Sequence, residues 1–411
     1  MKIPVSFLAL VLACDFAQSA DAPPVPGNKP PPEISARARP ALEAGRKALL
    51  AKDAAAVRAA AAEAIEALGA WAGNPETATS YFTPINTAPY DVAKVRQYWE
   101  HEIGRGTRGL PWRKNPSGDP KVMEAGLREA AVPLAAIART VALAPEHAGE
   151  LTKIAREGAD WLIARQHAGG GFPMPIGPGL HPREKVGYIL ERMMKEHPDM
   201  VVDGWIPDDR GDGGLQFDNG LCGTALVEVW ELTRDDRYLA AARRAADWAS
   251  AQPMVTNWNY NAFSAGFLAR LSRATGDAKY LAAAVEKARI GVLPGQMKSG
   301  RWFDAHNACA VYHNILLRDL LEVFAALPEK HEFRSEVRDS LVRGLGQAAD
   351  ETVAHGFPGV WSADFARALT LLGENAKWRA ALNVCVNAAL TGQARALGTD
   401  AVRVLELAPP R

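Results

Sequence analysis

The sequence has few cysteines and no excess charge of either sign. It contains four cysteines in 411 residues. With Cys14 in the N-terminal segment set aside, the remainder is odd and too small for a disulfide framework. Lys and Arg together number 47, as do Asp and Glu together, so no global field attracts nucleic acid or an acidic membrane surface. The composition therefore excludes a disulfide-stapled fold and predicts that nucleic acid is not a partner.

Long apolar runs are missing except at the N-terminus. Met1-Lys2, the apolar stretch 3–13 and the small residues that follow are typical of a bacterial export signal, which we assign to residues 1–22. This predicts a periplasmic or secreted protein. Val11-Leu-Ala-Cys14 also resembles a lipobox, so a lipid anchor at Cys14 is the alternative. Residues 23–34 predict a Pro-rich linker, and residues 35–411 a single domain without a transmembrane segment.

The sequence does contain an internal repeat. Residues 219–239 align without gaps on residues 261–281, 42 positions later. Each copy has the pattern of helix, short turn, helix, with Asp235 or Asp277 where the second helix needs its N-cap. The residues that coincide are Asn219/Asn261, Leu226/Leu268, Thr233/Thr275, Asp235/Asp277, Tyr238/Tyr280 and Leu239/Leu281.

The same helical hairpin recurs less regularly along the rest of the chain. No long alternation of apolar and polar residues predicts a sheet. The loops are long and unequal, unlike those of an open tetratricopeptide solenoid. We therefore predict an all-α fold, an α/α toroid in which about six hairpins close into a ring and the inner helices begin at one rim. The hairpins other than the repeat are predicted within 41–71, 92–166, 307–353 and 361–390.

One stretch carries a family resemblance. The helix end 157–166, followed by Gly169-Gly-Gly-Phe172-Pro, resembles the Gly-Gly-aromatic-Pro turn of pectate lyases built on an α/α toroid, and Phe217-Asp218-Asn219 falls at the acidic helix start of those lyases. Six-hairpin glycosidases share the ring. The resemblance covers residues 157–251. It implies a carbohydrate-active protein in which Phe172 and Asn219 contact the substrate.

The densest acidic cluster lies between residues 203 and 219. Asp209, Asp212 and Asp218 are candidates to bind Ca²⁺, which takes six to eight oxygen ligands from a flexible loop. Asp212 and Asp218 are equally candidates for glycosidase chemistry, in which one carboxyl is protonated and another ionised. A solvated turn in which Asp218 caps the next helix is the third interpretation.

Two further loops lead into later inner helices and are expected at the same rim. Both combine aromatic rings, which suit the apolar face of a sugar, with polar groups that suit its hydroxyls. The candidate residues of the first loop are Trp258, Tyr260 and Asn261, and those of the second are Arg301, Trp302, Asp304 and His306.

These residues predict a carbohydrate-active enzyme, either a polysaccharide lyase or a glycoside hydrolase. In a lyase, Ca²⁺ would acidify the proton beside a uronate carboxylate, and Arg301 or His306 would stabilise or remove it. In a glycosidase, Asp212 or Asp218 would be the acid, with Asp304 as its partner. A non-catalytic toroid that binds a glycan or a protein is the alternative.

Overall fold

The computed structural model describes residues 30–73, 85–106, 109–123, 126–177, 195–211, 213–355, 362–392 and 400–407. The predicted signal segment, Cys14 and Asp212 lie outside these residues. The helices are α1 (Pro32–Leu50), α2 (Ala54–Leu68), α3 (Val92–Gly106), α4 (Pro111–Lys114), α5 (Leu127–Thr140), α6 (Ala148–Ile163), α7 (Gly214–Thr233), α8 (Asp236–Ala251), α9 (Trp258–Thr275), α10 (Ala278–Gly291), α11 (Ala305–Ala308), α12 (Ala310–Ala326), α13 (Arg334–His355), α14 (Ser362–Leu372), α15 (Ala376–Leu390) and α16 (Asp400–Glu406).

Extended structure in the described chain is limited to one pair of short strands and two isolated bridges, Val202 with Trp205 and Gln296 with Trp302. Strands β1 (Met174–Pro175) and β2 (Trp205–Ile206) pair antiparallel, with Met174 opposite Ile206. No helix among the described residues has the length and apolar character needed to cross a membrane. The prediction of an all-α fold is confirmed.

Six inner helices form a closed ring. The order of contacts around the ring is α5, α7, α9, α12, α14, α16 and back to α5. The inner helices run in the same direction. This follows from their contacts, since residues near the start of one helix contact residues near the start of the next, and residues near the ends contact each other. Arg128 pairs with Asp218 near the starts of α5 and α7, whereas Arg139 pairs with Glu228 towards their other ends. We call these two ends of the ring the N-terminal rim and the C-terminal end.

An outer layer of helices packs on the ring. The first predicted hairpin, at 41–71, is not one of the pairs that form the ring, which corrects the prediction. Helices α6, α8, α10, α13 and α15 each return the chain from one inner helix to the next, while α3 packs against α16 and α15. The sixth pair therefore joins the two ends of the described ring. The predicted hairpin at 41–71 exists as α1 and α2, but it lies outside the ring and packs against α10 and the turn after it.

The repeat predicted the local structure of its two hairpins correctly. Asp235 and Asp277 are the N-caps of α8 and α10, and each side chain accepts a hydrogen bond from the backbone N–H two residues later, at 3.1 Å in both cases. An N-cap carboxylate satisfies a donor that the first helical turn leaves unpaired. This explains why an aspartate recurs at the start of both outer helices.

A glutamine clamp holds the turn that follows two of the outer helices. The side-chain amide of Gln166 donates to the carbonyls of Gly170 and Ala241, both at 2.8 Å. Gln296 does the same for Gly300 and Ser340, both at 3.0 Å. In each case the amide ties a glycine turn to the next outer helix. The Gln-to-Gly spacing that supports the family resemblance therefore has a structural role in this chain.

Glycines set the distance between neighbouring inner helices. A Cβ atom added at Gly220 of α7 would lie 2.8 Å from the carbonyl oxygen of Phe263 in α9. A backbone carbonyl inside a helix cannot rotate away, so the two helices would have to separate. By contrast, a Cβ at Gly346 of α13 would meet no atom within 4 Å.

We predict that Gly220→Ala lowers the free energy of unfolding by about 1–3 kcal/mol, because added atoms in a packed contact force the backbone to shift. Gly346→Ala is the matched control and should raise stability by roughly 0.5–1 kcal/mol, the usual gain for this change within a helix. Urea unfolding followed by circular dichroism measures both. Equal unfolding midpoints for the two variants would contradict the proposed contact.

Candidate active site

A cavity of about 230 Å³ lies on the axis of the ring. Every inner helix contributes to its wall, so the cavity exists only because the ring is closed. We call it the axial cavity. Its charged lining residues are Arg139, Glu228, Arg270, Arg318, Asp319, Glu322, Asp364, Arg367 and Arg403.

A buried ion pair stands at the N-terminal rim. Nε of Arg128 lies 3.2 Å from Oδ1 of Asp218, whose side chain is fully buried. The same oxygen accepts the backbone N–H of Arg128 at 3.4 Å. Burial raises the pKa of Asp218, and the guanidinium opposes this shift. Asp218 thus joins the start of α5 to α7, and it lies inside α7 rather than capping it.

An aromatic layer separates this ion pair from the axial cavity. The rings of Phe217 and Phe263 stack with centroids 4.0 Å apart, and the guanidinium of Arg128 lies 4.3 Å from the centroid of Phe217. Tyr260 and Tyr312 pack against the same layer. Offset rings and a cation over a ring face are each favourable contacts. The layer forms the wall of the axial cavity that faces the N-terminal rim.

The middle of the cavity contains two aspartates. Asp319 projects from α12 against α9, where Gly266 leaves room for it: a Cβ there would lie 2.5 Å from Oδ1 of Asp319. Burial raises the pKa of Asp319 to about 6, while Arg318, whose guanidinium lies 3.2 Å away, opposes the shift. Asp364 at the start of α14 accepts a hydrogen bond from the amide of Asn314.

Arginine and glutamate side chains form the C-terminal end of the cavity. Glu228 lies 3.3 Å from Arg139 and 3.3 Å from Arg270. Burial acts to raise the pKa of Glu228, but these arginines lower it to about 2. Glu322 lies 2.9 Å from Arg273 and 3.3 Å from Arg367, and its pKa is lowered in the same way. Both glutamates are therefore ionised at neutral pH, in contrast to the raised pKa of Asp319.

The three aspartates predicted to bind Ca²⁺ are not seen as a cluster. Asp209 accepts the backbone N–H groups of Gly211 at 3.1 Å and Leu215 at 2.8 Å, and so holds the start of α7. Asp218 pairs with Arg128, and Asp212 lies outside the described residues. Within the described part of the chain, no three His, Cys, Asp or Glu side chains are grouped to hold a metal ion. Asp209 and Asp218, the two candidates among the described residues, already accept from protein donors, and such carboxylates fit a cation poorly. Calcium binding stays a prediction.

The structure places Asp304, His306 and Arg301 close together but gives them different surroundings. Asp304 is the N-cap of α11 and accepts the backbone N–H of Asn307 at 2.8 Å; burial raises its pKa. His306 is exposed and its ring stacks on Tyr312 with centroids 3.8 Å apart. Arg301 donates to the carbonyl of Ala308 and pairs with Glu351 of α13. Arg301 is thus an anchor of the loop.

Several residues predicted to bind sugar lie in the core. Phe172 and Trp302 each stand six positions after a clamp glutamine, and they are 1% and 0% exposed. Both rings belong to the hydrophobic core, and the indole N–H of Trp302 donates to the carbonyl of Val292 at 2.8 Å. This burial is a correction to the predicted stacking of Trp302 on a sugar and to the predicted substrate contact of Phe172. Trp258 is also buried, whereas Tyr260 is half-buried and belongs to the aromatic layer.

The two repeat asparagines also have structural partners. The amide of Asn219 donates to the carbonyl of Ala245 at 2.9 Å, and that of Asn261 donates to Val255 and Gly291, both at 2.7 Å. Both side chains are fully buried. They tie each inner helix to the neighbouring outer helix or loop, and this shared task accounts for their coincidence in the repeat.

A second cavity, of about 570 Å³, lies between the α1–α2 hairpin and the N-terminal rim. Its hairpin side is mostly alanine and leucine. Its rim side is lined by Trp258, Asp304 and His306, three of the candidates predicted in the two rim loops, and by the adjacent Asn307. The rim loops therefore face this cavity, while the axial cavity is formed by helix interiors.

The charged residues of the axial cavity were missed by the sequence analysis. Arg318, Asp319 and Glu322 lie on one helix between leucines, a position where a lone charge would be costly. Charges within an otherwise apolar helix were the available signal. Their partners lie on helices far away in sequence, however, and only ring closure brings them into contact.

No protein-family model matches the sequence, and no curated protein matches it. Among solved structures, a glycosyl hydrolase family 88 protein from Bacteroides vulgatus is similar in fold, at 12% identity and a TM-score of 0.49, over 77% of this chain and 97% of that one. A polysaccharide lyase is similar at 12% identity and a TM-score of 0.48, over 77% of this chain and 94% of that one. The ring is established by the helix contacts of this chain itself.

We predict that Arg128→Met destabilises the protein by about 3–5 kcal/mol, because it leaves the Asp218 carboxylate buried without its cation. The double variant Arg128→Met, Asp218→Asn should recover most of this loss, since no charge then remains. The control is Arg113→Met, which breaks the exposed pair with Glu157 and should cost less than about 1 kcal/mol. Urea unfolding provides the comparison, and a double variant no more stable than the single one would refute the argument.

The lowered pKa of Glu228 predicts a specific dependence on pH. Its folded value of about 2 lies below the ordinary 4.5, so its stabilising effect is complete above pH 4.5 and is lost as the pH falls towards 2. Glu228→Gln should therefore cost about 3 kcal/mol at pH 7 and much less near pH 3. Unfolding of both proteins at several pH values measures the difference. A cost that stayed constant from pH 7 to pH 3 would rule out the ion pairs as its cause.

Proposed function

We propose that the protein is a carbohydrate-active enzyme whose active site is the axial cavity, and that it acts first of all as a glycoside hydrolase. The observation that carries this proposal is the contrast between Asp319, with a pKa of about 6, and the arginine-held carboxylates Glu228 and Glu322 in the same cavity. Glycosidases need one carboxyl that stays protonated near neutral pH and another that stays ionised.

Asp319 has the surroundings of a general acid. It is protonated below about pH 6 and lines the cavity, so it can give its proton to the oxygen of a departing sugar. Asp364, on the neighbouring inner helix α14, would orient the attacking water, with Asn314 fixing its carboxyl group. Phe217 and Phe263 would offer an apolar wall to the sugar ring.

A lyase is the second candidate, and the N-terminal rim favours it. Arg128 lies within electrostatic reach of Tyr260 and Tyr312, and His306 stacks on Tyr312. Elimination requires a cation that neutralises the carboxylate of the uronate substrate. It also requires a phenol or imidazole nearby that removes a proton. We route no step of either mechanism through calcium, because Asp209 and Oδ1 of Asp218 are engaged by protein donors.

The setting proposed for this activity is outside the cytoplasm, in the periplasm or the medium, on the basis of the signal pattern in residues 1–22. Attachment through a lipid at Cys14 is the alternative. A non-catalytic role, in which the ring binds a glycan without turnover, is the competing function.

The proposal predicts that Asp319→Asn lowers kcat for glycan hydrolysis by about 10²-fold or more, the usual contribution of a general acid. Activity of the natural protein should fall as the pH rises through about 6, because Asp319 then loses its proton. The assay follows reducing ends and the ultraviolet absorbance of unsaturated sugars in the same tubes, over a panel of neutral and acidic glycans.

The outcomes of this assay separate the three functions. Reducing ends without absorbance indicate hydrolysis, and reducing ends with absorbance indicate elimination. If no glycan of the panel gives reducing ends or absorbance, and glycan binding is measurable, the result indicates the non-catalytic role. Asp339→Asn, on the surface of α13, is the matched control and should leave kcat unchanged. Hydrolysis that survives in Asp319→Asn would remove Asp319 from the mechanism.

A further inference from the structure

Positive charge exceeds negative charge at the C-terminal end of the ring. Five arginines meet there, and we call them the arginine cluster. Four carboxylates pair with them, so one positive charge is left over. The arginines are Arg139, Arg270, Arg273, Arg367 and Arg403, and the carboxylates are Glu228, Glu231, Glu322 and Glu406.

Two members of the cluster have donors without partners. Nε of Arg139 and Nε of Arg367 are buried and have no hydrogen-bond partner among the described residues, while Nη2 of Arg367 faces Glu322 in an ion pair at 3.3 Å. Both side chains line the axial cavity and keep some exposure to it, 22% for Arg139 and 15% for Arg367. Buried donors without acceptors are costly, and more so on a charged group.

The electrostatics of the cluster favour an added negative charge beside Arg139 and Arg367. Burial lowers the pKa of Arg139 and of Arg367, and the nearby Arg403 lowers both further. Glu228 and Glu322 act in the opposite direction without cancelling these effects. Asp364 lies one turn nearer the N-terminal rim on α14 and accepts from Asn314. Their carboxylates therefore compensate Arg139 and Arg367 incompletely, whereas the nearby glutamates raise the pKa of Arg270 and of Arg403.

The helix dipole explains only part of this arrangement. Arg139 lies in the last turn of α5, where a cation is favoured by the helix C-terminus. Arg367 lies in the middle of α14 and gains nothing from it. Yet it extends into the cavity and shares Glu322 with Arg273. A second cation on a carboxylate that is already paired indicates a role beyond that ion pair.

We propose that the arginine cluster binds an oxyanion at the C-terminal end of the axial cavity, with Arg139 and Arg367 as its principal donors. Guanidinium groups match the geometry of sulfate, phosphate and carboxylate oxygens. The volume of about 230 Å³ suits a free inorganic oxyanion or the acidic group of one sugar unit. This site lies at the opposite end from Arg128 and does not depend on turnover.

The test is thermal unfolding of the full-length protein in sodium sulfate, sodium glucuronate or sodium chloride at matched ionic strength, so that general screening is equal. A ligand that binds only the folded state raises the melting temperature. We expect sulfate or glucuronate to raise it by about 2 °C or more above chloride. Isothermal titration with the same two anions gives the affinity.

Arg367→Gln is the main variant, because Glu322 keeps Arg273 as a partner and the fold is retained. It should abolish the rise and weaken the affinity at least tenfold. Arg139→Gln, which leaves Glu228 with Arg270, should act in the same direction. Arg58→Gln, in the exposed pair with Glu336, is the matched control and should preserve the full rise.

The ligands distinguish the source of the anion. A rise with both anions that is lost in Arg367→Gln assigns a general oxyanion site, since sulfate also stabilises folded proteins without binding. A rise with glucuronate alone that is lost in the same variant assigns the acidic group of a sugar. Glucose provides the neutral comparison. No rise above chloride in the natural protein, or an equal rise in Arg367→Gln, would overturn the proposal. Either of these results would leave the assay of Asp319 unaffected, so the two proposals fail independently.

Discussion

Closure of the inner ring is the constraint on which the rest of this structure depends. Six parallel helices around one axis bring together side chains that no single hairpin would bury, and small residues make the closure tight. Gly220 lets α7 approach the backbone of α9, and Gly266 makes room for Asp319. Because the ring excludes much of the solvent, charges on its inner face interact strongly. The contrast between Asp319 and Glu228 follows from this enclosure.

Polar side chains in the interior of the protein fall into two groups with different tasks. One group fastens helices to each other: Gln166 and Gln296 clamp turns, and Asn219 and Asn261 reach neighbouring backbone carbonyls. Such groups satisfy buried backbone acceptors and fix the angles between hairpins. The other group points to the axis and contains the charged side chains that line the axial cavity, where we propose chemistry and binding.

Local features of the fold could be predicted from the sequence, whereas the site mostly could not. Repetition and N-cap chemistry identify the hairpins, since Asp235 and Asp277 act within one turn of chain. The rim aromatics misled the prediction because a conspicuous ring such as Trp302 serves as well for filling the core as for holding a sugar. The axial charges depend on pairs such as Arg139 with Glu228, which no local pattern relates.

The sixth pair of the ring consists of α16 and α3, which lie almost three hundred residues apart in the chain. During synthesis, the hairpins can form one by one as they leave the ribosome. The ring itself cannot close until Asp400–Glu406 has emerged, because that helix bridges α14 and α5. Until then the axial cavity has no wall between α14 and α5. The axial cavity is therefore complete only once this short helix has joined the two ends of the described ring.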